Sequence, residues 1–424
     1  MANWDRILRG SHLFGQHWGG YGLSLGGWFG YQFVDWFVLV SGFSLVLSLK
    51  GKPLAVKSFL KERLWRILLP FWTTGMLAYP VLWAIGRWTE TYSPDAWHSF
   101  AGLTFPLMFE FGGKLLLATS GPWWFVPLIV SFAIVFPILW KLSRRWGMGR
   151  LVGVAIALTL IYRLLAVYIL GGHPTYAMQE TPSGWQPFVP FVAKLGTFVV
   201  GMAVAVAYTQ GRGVMFWSGR RAIGLGLPMY TVGFVFQFYE WGWVVADGLL
   251  ALGLGLVTMA LFRPMARLGF ASRCMTYLGK HSYSYFLVHN FVIDRLIRLW
   301  VKQDIDRYYW GLLFAVVGTF GLALAIDALT PWVARGLVQS ARWIDRQLAK
   351  PAMNSWMPMV EDLVLYQGQW GWQISQVERV EHSDRTFYLC RISRMGRTLW
   401  VNQQDLVLDE DRERQSLEVR GSRK

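Results

Sequence analysis

Repeated apolar runs of about 20 residues are the feature that most constrains what this chain can fold into. They lie at roughly 28–49, 67–85, 123–140, 151–170, 188–208, 222–239, 243–262, 282–300 and 310–329. As a helix rising about 1.5 Å per residue, such a run crosses the ~30 Å hydrocarbon core of a bilayer. Hydrophobic residues make up 54% of the 424 residues and charged residues only 16%, which argues against a soluble protein. The sequence therefore predicts an all-α polytopic membrane bundle.

The loops between these runs alternate in charge. Lys and Arg collect in the loops at 50–66, 141–150, 209–222 and 263–281, whereas the intervening loops at 86–122, 171–187, 240–242 and 301–309 are rich in acids. Because basic loops are the ones kept in the cytoplasm, this alternation orients the bundle. The net charge of +16 then follows from membrane topology and does not indicate nucleic-acid binding.

The N-terminal segment leaves two topologies open. The run at 28–49 goes from outside to inside, so the bundle has ten spans if residues 8–24 also cross, and nine with an external N-terminus if they do not. In both cases everything after about residue 330 is cytoplasmic. The only cysteines, Cys274 and Cys390, then lie in a reducing compartment, and two cysteines offer neither a disulfide framework nor a metal cluster.

The pattern changes twice after the transmembrane domain at 1–330. Residues 331–358 predict an amphipathic helix with Trp and Arg at helical spacing, which suits the anionic inner leaflet. From 359 to 410 the hydrophobic period becomes two, with short strands expected at 362–366, 370–380, 386–392, 398–401 and 405–408. We expect a small SH3-like β-barrel there, acting as a docking or regulatory module with a possible cytoplasmic protein partner, followed by a charged tail at 411–424.

Ionisable side chains inside spans are candidates for function, because each costs a few kcal/mol or more to bury in the membrane. This set comprises Asp35, Arg163, Lys194, Asp247, His289, Asp294 and Asp327, with His17 added if the first segment crosses. For any one of these residues, an ion pair inside the protein is as good an explanation as a functional role.

Two arginines near the cytoplasmic end of the second run predict an anion site. Arg63 and Arg66 are three residues apart and share one face of a helix, with Lys57 and Lys61 one and two turns earlier. Guanidinium groups bind phosphates in bidentate geometry, so this face can hold a phosphate or pyrophosphate. Positive-inside topology alone is the alternative explanation.

Two histidines could act as a base within the membrane. His17 lies eleven residues after Arg6, about 16 Å along a helix, which puts it near mid-membrane if Arg6 is at the cytoplasmic surface. His289 is also well inside its span. An imidazole can take a proton from a hydroxyl near neutral pH, but for His289 a helix-to-helix hydrogen bond is an equal alternative.

Several stretches, taken in order, resemble the acyltransferase 3 family of integral-membrane acyltransferases. They are the run from Asp35 to Ser41-Gly42-Phe43, the pair in Arg63-Leu64-Trp65-Arg66 ahead of Pro70, Gly121-Pro122-Trp123-Trp124-Phe125, and the helix from Leu278-Gly279-Lys280-His281-Ser282-Tyr283 to His289. Arg6 and His17 reproduce the spacing of an Arg and a His on the family's first helix. The resemblance covers roughly residues 6–330.

The resemblance implies a membrane O-acyltransferase. The acyl group, most often acetyl, would come from cytoplasmic acyl-CoA and pass to a hydroxyl of a cell-surface or exported glycan or a polyol, in a bacterial-type plasma membrane and with no metal. It implies that His17 is the base or acyl relay, that Arg6, Arg63 and Arg66 contact the coenzyme, and that Ser41 and Asp35 line the site. The candidate residues are thus His17, Asp35 and His289 for catalysis, and Arg6, Arg63, Arg66 and Ser41 for the coenzyme.

Two other functions stay open at this stage. An exporter or channel-like protein of the same fold would not need His17, and Asp35, Arg163, Asp247 and Asp327 would line its pathway. A membrane anchor for the C-terminal barrel would tolerate single substitutions of its polar span residues.

Overall fold

A computed structural model describes residues 18–90, 100, 102–104, 121–172, 187–296, 300, 305–348, 358–382 and 385–408. Within these ranges, the structure does not describe the side chains of residues 18–32, 121–122, 294–296, 305–306, 308–309, 345–348, 370, 381–382, 385–387 and 407–408. The chain divides into two compact units, Met1–Val333 and Ala334–Lys424.

Nine helices lie in the described part of the chain. They are α1 (Trp18–Ser48), α2 (Val56–Trp88), α3 (Phe125–Trp146), α4 (Met148–Tyr168), α5 (Leu195–Thr209), α6 (Gly219–Phe236), α7 (Ala246–Met265), α8 (Gly269–Leu296) and α9 (Ile305–Leu348). Single turns of 3₁₀-helix at Gly121–Trp124, Phe191–Lys194 and Trp241–Val244 lead into α3, α5 and α7.

The multi-pass membrane architecture is confirmed, but the predicted count of about ten spans is not. Six described helical segments are long and apolar enough to cross a bilayer: Val56–Trp88, Phe125–Trp146, Met148–Tyr168, Phe191–Thr209, Ala246–Met265 and Trp310–Ile344. The apolar helix Phe33–Ser48 is shorter. Moreover, α1 runs unbroken from Trp18 to Ser48. Two separate spans at 8–24 and 28–49 would need a turn between them, and residues 25–27 are helical instead.

Glycine allows α1 and α5 to cross in backbone contact. A Cβ atom at Gly42 would overlap the carbonyl of Phe198, and one at Gly201 would overlap the carbonyl of Leu39. Small residues at such crossings let membrane helices pack closely where no hydrophobic driving force acts between them. The contact fixes α1 against α5 at the position from which both helices reach their buried charges.

The two largest clusters of buried side chains in the helical unit join its helices at different places. One lies around Phe132 and Phe198, whose rings stack with centroids 4.2 Å apart, and joins α1, α3, α4 and α5. The other surrounds Phe71, Trp123 and Leu287 and joins α2, α3 and α8. The Trp123 indole donates a hydrogen bond to the Leu287 carbonyl (3.0 Å), so the Trp-Trp-Phe stretch holds α8 in place.

The second unit contains the five-stranded antiparallel sheet expected from the sequence. Its strands are β1 (Leu363–Tyr366), β2 (Gln369–His382), β3 (Arg385–Arg394), β4 (Arg397–Asn402) and β5 (Val407–Leu408), in the order β4-β3-β2-β1-β5. They agree with the predicted strands to within a couple of residues at each end.

The sheet forms a half-barrel around a small core. Val364, Ile374, Cys390 and Ile392 are fully buried there. A register shift between Ile374 and Gln376 bends β2, as bulges do.

The helix predicted at 331–358 is not a separate element within the described residues. Its first part is the end of α9, which continues through Pro331 to Leu348. Proline lacks the amide hydrogen of the helix ladder and disfavours a helical interior, which is why the sequence suggested a boundary there.

Candidate functional site

Four buried charged side chains meet within the helical unit. The Lys194 ammonium lies 2.8 Å from Asp35 Oδ2 and 3.5 Å from Asp247 Oδ2. Arg163 Nη2 donates to the same Asp247 oxygen at 2.6 Å and to the Trp243 carbonyl at 2.7 Å. We call Asp35, Arg163, Lys194 and Asp247 the charge network; it has two acids and two bases.

The charge network joins four helical segments. Asp35 comes from the middle of α1 and Arg163 from the C-terminal part of α4. Lys194 ends the 3₁₀ turn before α5, and Asp247 is in the first turn of α7. In the topology predicted from the basic loops, the last three positions would lie towards the outer ends of their helices.

Burial of the charge network bears on the exporter hypothesis. Asp35, Arg163, Lys194 and Asp247 are only 5%, 2%, 4% and 3% exposed. An exporter would present these groups to a polar pathway, whereas here they are turned towards one another. Paired, buried charges of this kind hold helices in register, and breaking such a pair is costly. Asp35 therefore has a clear structural partner, while its other carboxylate oxygen, Oδ1, is buried with no hydrogen-bond partner in the described part of the chain.

A second polar group connects α2 with α8. The Tyr283 hydroxyl donates a hydrogen bond to the Ile67 carbonyl at 3.0 Å, and it is close enough to Arg63 to interact with its guanidinium electrostatically. The Arg63 side chain is partly buried, and its Nε is buried with no hydrogen-bond partner among the described residues. A guanidinium near a helix end whose N–H donor has no acceptor among the described residues is well suited to bind an anion.

His289 lies further along the same helix as Tyr283. Six residues separate the two, which is about 9 Å along α8. The Nδ1 atom of His289 lies 2.6 Å from the Phe286 carbonyl. A carbonyl only accepts, so Nδ1 carries the hydrogen and the neutral ring presents Nε2 as a proton acceptor. The ring also stacks on Tyr285, with centroids 6.3 Å apart and planes 2° from parallel.

The remaining predicted coenzyme residues are less enclosed. Arg66 is exposed and lies 4.0 Å from Glu62, with side-chain exposures of 73% and 71%, so this pair is weak. Ser41 is partly buried, and its carbonyl accepts a hydrogen bond from the Ser44 hydroxyl at 3.0 Å. The structure thus brings Arg63 next to Tyr283 of α8, and Asp35 belongs to the charge network.

Three predicted residues are beyond what the structure describes. His17 and Arg6 lie outside the described residues, as does the side chain of Asp294. Their roles stay predictions.

A partly buried triad between α8 and α9 was identified only in part by the sequence analysis. Asp327 was singled out, but its partners were not: His281 Nδ1 and the Ser284 hydroxyl bind its two carboxylate oxygens. The signal was the i, i+3 spacing of His281 and Ser284, which puts both on one helix face. Because both carboxylate oxygens are occupied, we read this triad as a link between helices.

No metal centre emerges from the described ranges: no group of three or more His, Cys, Asp or Glu side chains there is placed to hold an ion.

Comparison with protein families gives one finding. A family model with the description "Acyltransferase domain" matches residues 10–328. Searches of curated proteins and of solved structures gave no significant match.

Proposed function

The chain belongs to the acyltransferase 3 family, and from that premise we propose that it is a membrane O-acyltransferase. The donor would be cytoplasmic acyl-CoA, with acetyl as the acyl group, and the acceptor a hydroxyl of a cell-surface or exported glycan. We further propose a bacterial-type plasma membrane location with a cytoplasmic C-terminus, on the charge alternation of the loops.

The observation that supports the donor side best is the buried, unused Nε donor of Arg63, which lies next to Tyr283 of α8. Arg63 lies two turns into α2, at the end where the sequence predicts the cytoplasm, and keeps its buried Nε available. The phosphates of a coenzyme are the anions that would satisfy it, with the exposed Arg66 and Lys61 adding charge nearby. Bound there, acyl-CoA would supply a thioester, whose carbonyl is activated for attack by a hydroxyl.

The helix that carries Tyr283 also carries a candidate base, His289, six residues further from its cytoplasmic end as the sequence predicts it. His289 Nε2 is the acceptor nitrogen of its ring, so it can take the proton of an attacking hydroxyl. His17, by family resemblance, is the base or acyl relay and would share this task or perform it alone. The proposal therefore assigns phosphate binding to Arg63 and proton transfer to one of two histidines.

The experiment is acetyl-CoA turnover by the full-length protein in lipid nanodiscs, followed by release of the coenzyme thiol. Wild type is compared with His17→Ala, His289→Gln and Arg63→Gln, and with Arg145→Gln as a matched control from another basic loop. We expect Arg63→Gln to raise the KM for acetyl-CoA about tenfold or more, as loss of a charge-assisted hydrogen bond would, with Arg145→Gln unchanged. We expect loss of kcat in the variant of the histidine that acts as base.

Three outcomes would change the proposal. Turnover that does not depend on His17 but requires His289 would put the base on α8. Equal KM values for the Arg63 and Arg145 variants would remove the phosphate site from α2. Absence of coenzyme binding and turnover in a folded sample would refute the acyltransferase proposal altogether.

A further inference from the structure

The hairpin of β3 and β4 gathers the exposed apolar side chains of the sheet. Met395 in its turn is 93% exposed, and Leu399 and Trp400 on β4 are 45% and 46% exposed. The turn is well defined, with Met395 and Gly396 both in the left-handed region (φ 48° and 79°). None of these three side chains belongs to the cluster of buried side chains that forms the core of the half-barrel.

The same hairpin is strongly basic. The segment 385–402 contains four arginines and no acid, whereas the acids of the sheet region, such as Glu361, Asp362 and Asp405, lie outside it. Arg391 is directly opposite Trp400 in the ladder. Because Cys390 and Ile392 are buried, Arg391 points to the outer face, and so does Trp400. The end of the hairpin thus has Arg391 beside Trp400 on the outer face, the Arg394–Arg397 pair on the other face, and the exposed Met395 in the turn.

We propose that the end of this hairpin docks on anionic phospholipid headgroups, with Met395 and Trp400 entering the interface and Arg391 and Arg397, on opposite faces of the hairpin, reaching the lipid phosphates. Charge complementarity favours this partner, since a segment with four arginines and no acid of its own attracts an anionic surface. Trp at a membrane interface and apolar side chains rimmed by Arg are the composition of interfacial membrane contacts. The helical unit crosses the bilayer, so a lipid surface is present at high effective concentration wherever the protein is.

The test uses the full-length protein with a fluorescent label on Met395→Cys, in a Cys274→Ser background that keeps the buried Cys390. Nanodiscs are made of phosphatidylcholine alone, or with phosphatidylglycerol in roughly a 3:1 ratio, to vary the surface charge. We expect the label to shift to the blue and become shielded from iodide in the anionic nanodiscs only. About 0.5 M NaCl should reverse the effect, because it shortens the screening length below that of physiological salt. A label on Gln404→Cys, beyond the opposite end of β4, should stay accessible throughout.

The charge contribution is measured with two matched variants. The double variant Arg391→Gln and Arg397→Gln should lower the ratio of docked to undocked hairpin about thirtyfold. Each arginine contributes roughly a fivefold effect at an anionic surface, and the two effects multiply. Arg379→Gln removes the same kind of charge about 20 Å along the strands from the turn, beyond a Debye length, and should change the ratio little.

Two results would overturn the proposal. A Met395 label that stays fully accessible to iodide in anionic nanodiscs would show that the hairpin does not reach lipid. Shielding of equal size with and without phosphatidylglycerol would show that the apolar patch is covered by protein. Neither result depends on acyl transfer, so the proposal stands or falls separately from the enzymatic one.

Discussion

Removing the Lys194 ammonium should be among the most damaging single changes in the helical unit. Its two contacts, at 2.8 Å to Asp35 and 3.5 Å to Asp247, correspond to gross Coulomb energies of about 6 and 5 kcal/mol at an effective dielectric constant near 20. Desolvation of the buried ions offsets much of this. Deleting one member of a buried pair still costs about 3–5 kcal/mol, because the partner is left as an uncompensated charge.

The two acids are not affected equally by Lys194→Met. Asp247 keeps its contact with Arg163, whereas Asp35 loses the only ion pair it has in the described part of the chain. Replacing Asp35 by Asn in the same protein removes that stranded charge. We therefore expect the double variant to be less destabilised than the sum of the single variants by about 2 kcal/mol, within the range of contacting pairs.

The assay is unfolding in mixed micelles by titration with SDS, followed by tryptophan fluorescence. Lys61→Met is the control, because Lys61 is exposed on α2 and its replacement should cost no more than about 0.5 kcal/mol. If Lys194→Met unfolds like Lys61→Met, the charge network does not stabilise the bundle. If the Asp35 and Lys194 effects simply add, the ion pair does not exist in the folded protein.

Three further outcomes are expected. Gly201→Ala should lower the free energy of unfolding by about 1–3 kcal/mol or prevent folding, because the added Cβ would meet the backbone of α1. Gly153→Ala is the control and should be neutral, because its Cβ would meet nothing within 4 Å. The two variants are compared by their monodisperse yield and by SDS unfolding. Burial raises the pKa of the Cys390 thiol from 9.0 to about 11, so maleimide should label Cys274 before Cys390 at neutral pH; mass spectrometry would show the order, and early labelling of Cys390 would contradict this. The contribution of the protonated Cys390 thiol to the stability of the half-barrel should be complete below pH 9 and should fall as the pH rises from about 9 to about 11. Trp123→Phe should cost about 1 kcal/mol through the lost indole hydrogen bond, and SDS unfolding equal to wild type would contradict that bond.

Much of the architecture could be predicted because it depends on local composition. Apolar runs and basic loops marked the membrane helices, and a period of two marked the strands of the half-barrel. The number of spans could not be fixed in this way, because α8 carries polar side chains such as Lys280, His281 and Asn290 along its length and is not among the six clear spans. Similarly, Pro331 suggested a boundary where the helix continues.

The site was predictable only as a set of separate residues. Asp35, Arg163, Lys194 and Asp247 stood out because charges are expensive in a membrane, yet nothing in their spacing told which would pair. Their sequence separations are large, and pairing depends on how four helical segments cross. The buried role of His281 was hidden for the same reason, since its partner lies on α9.

The charge network also determines how the bundle responds to the voltage across the membrane. Moving one elementary charge through the whole potential changes its energy by about 2.3 kcal/mol per 100 mV. Two acids and two bases held together carry no net charge, so an energised membrane exerts almost no net force on them. A variant lacking Lys194 would hold an excess negative charge at that depth, and its folding stability would then depend on whether the membrane is polarised.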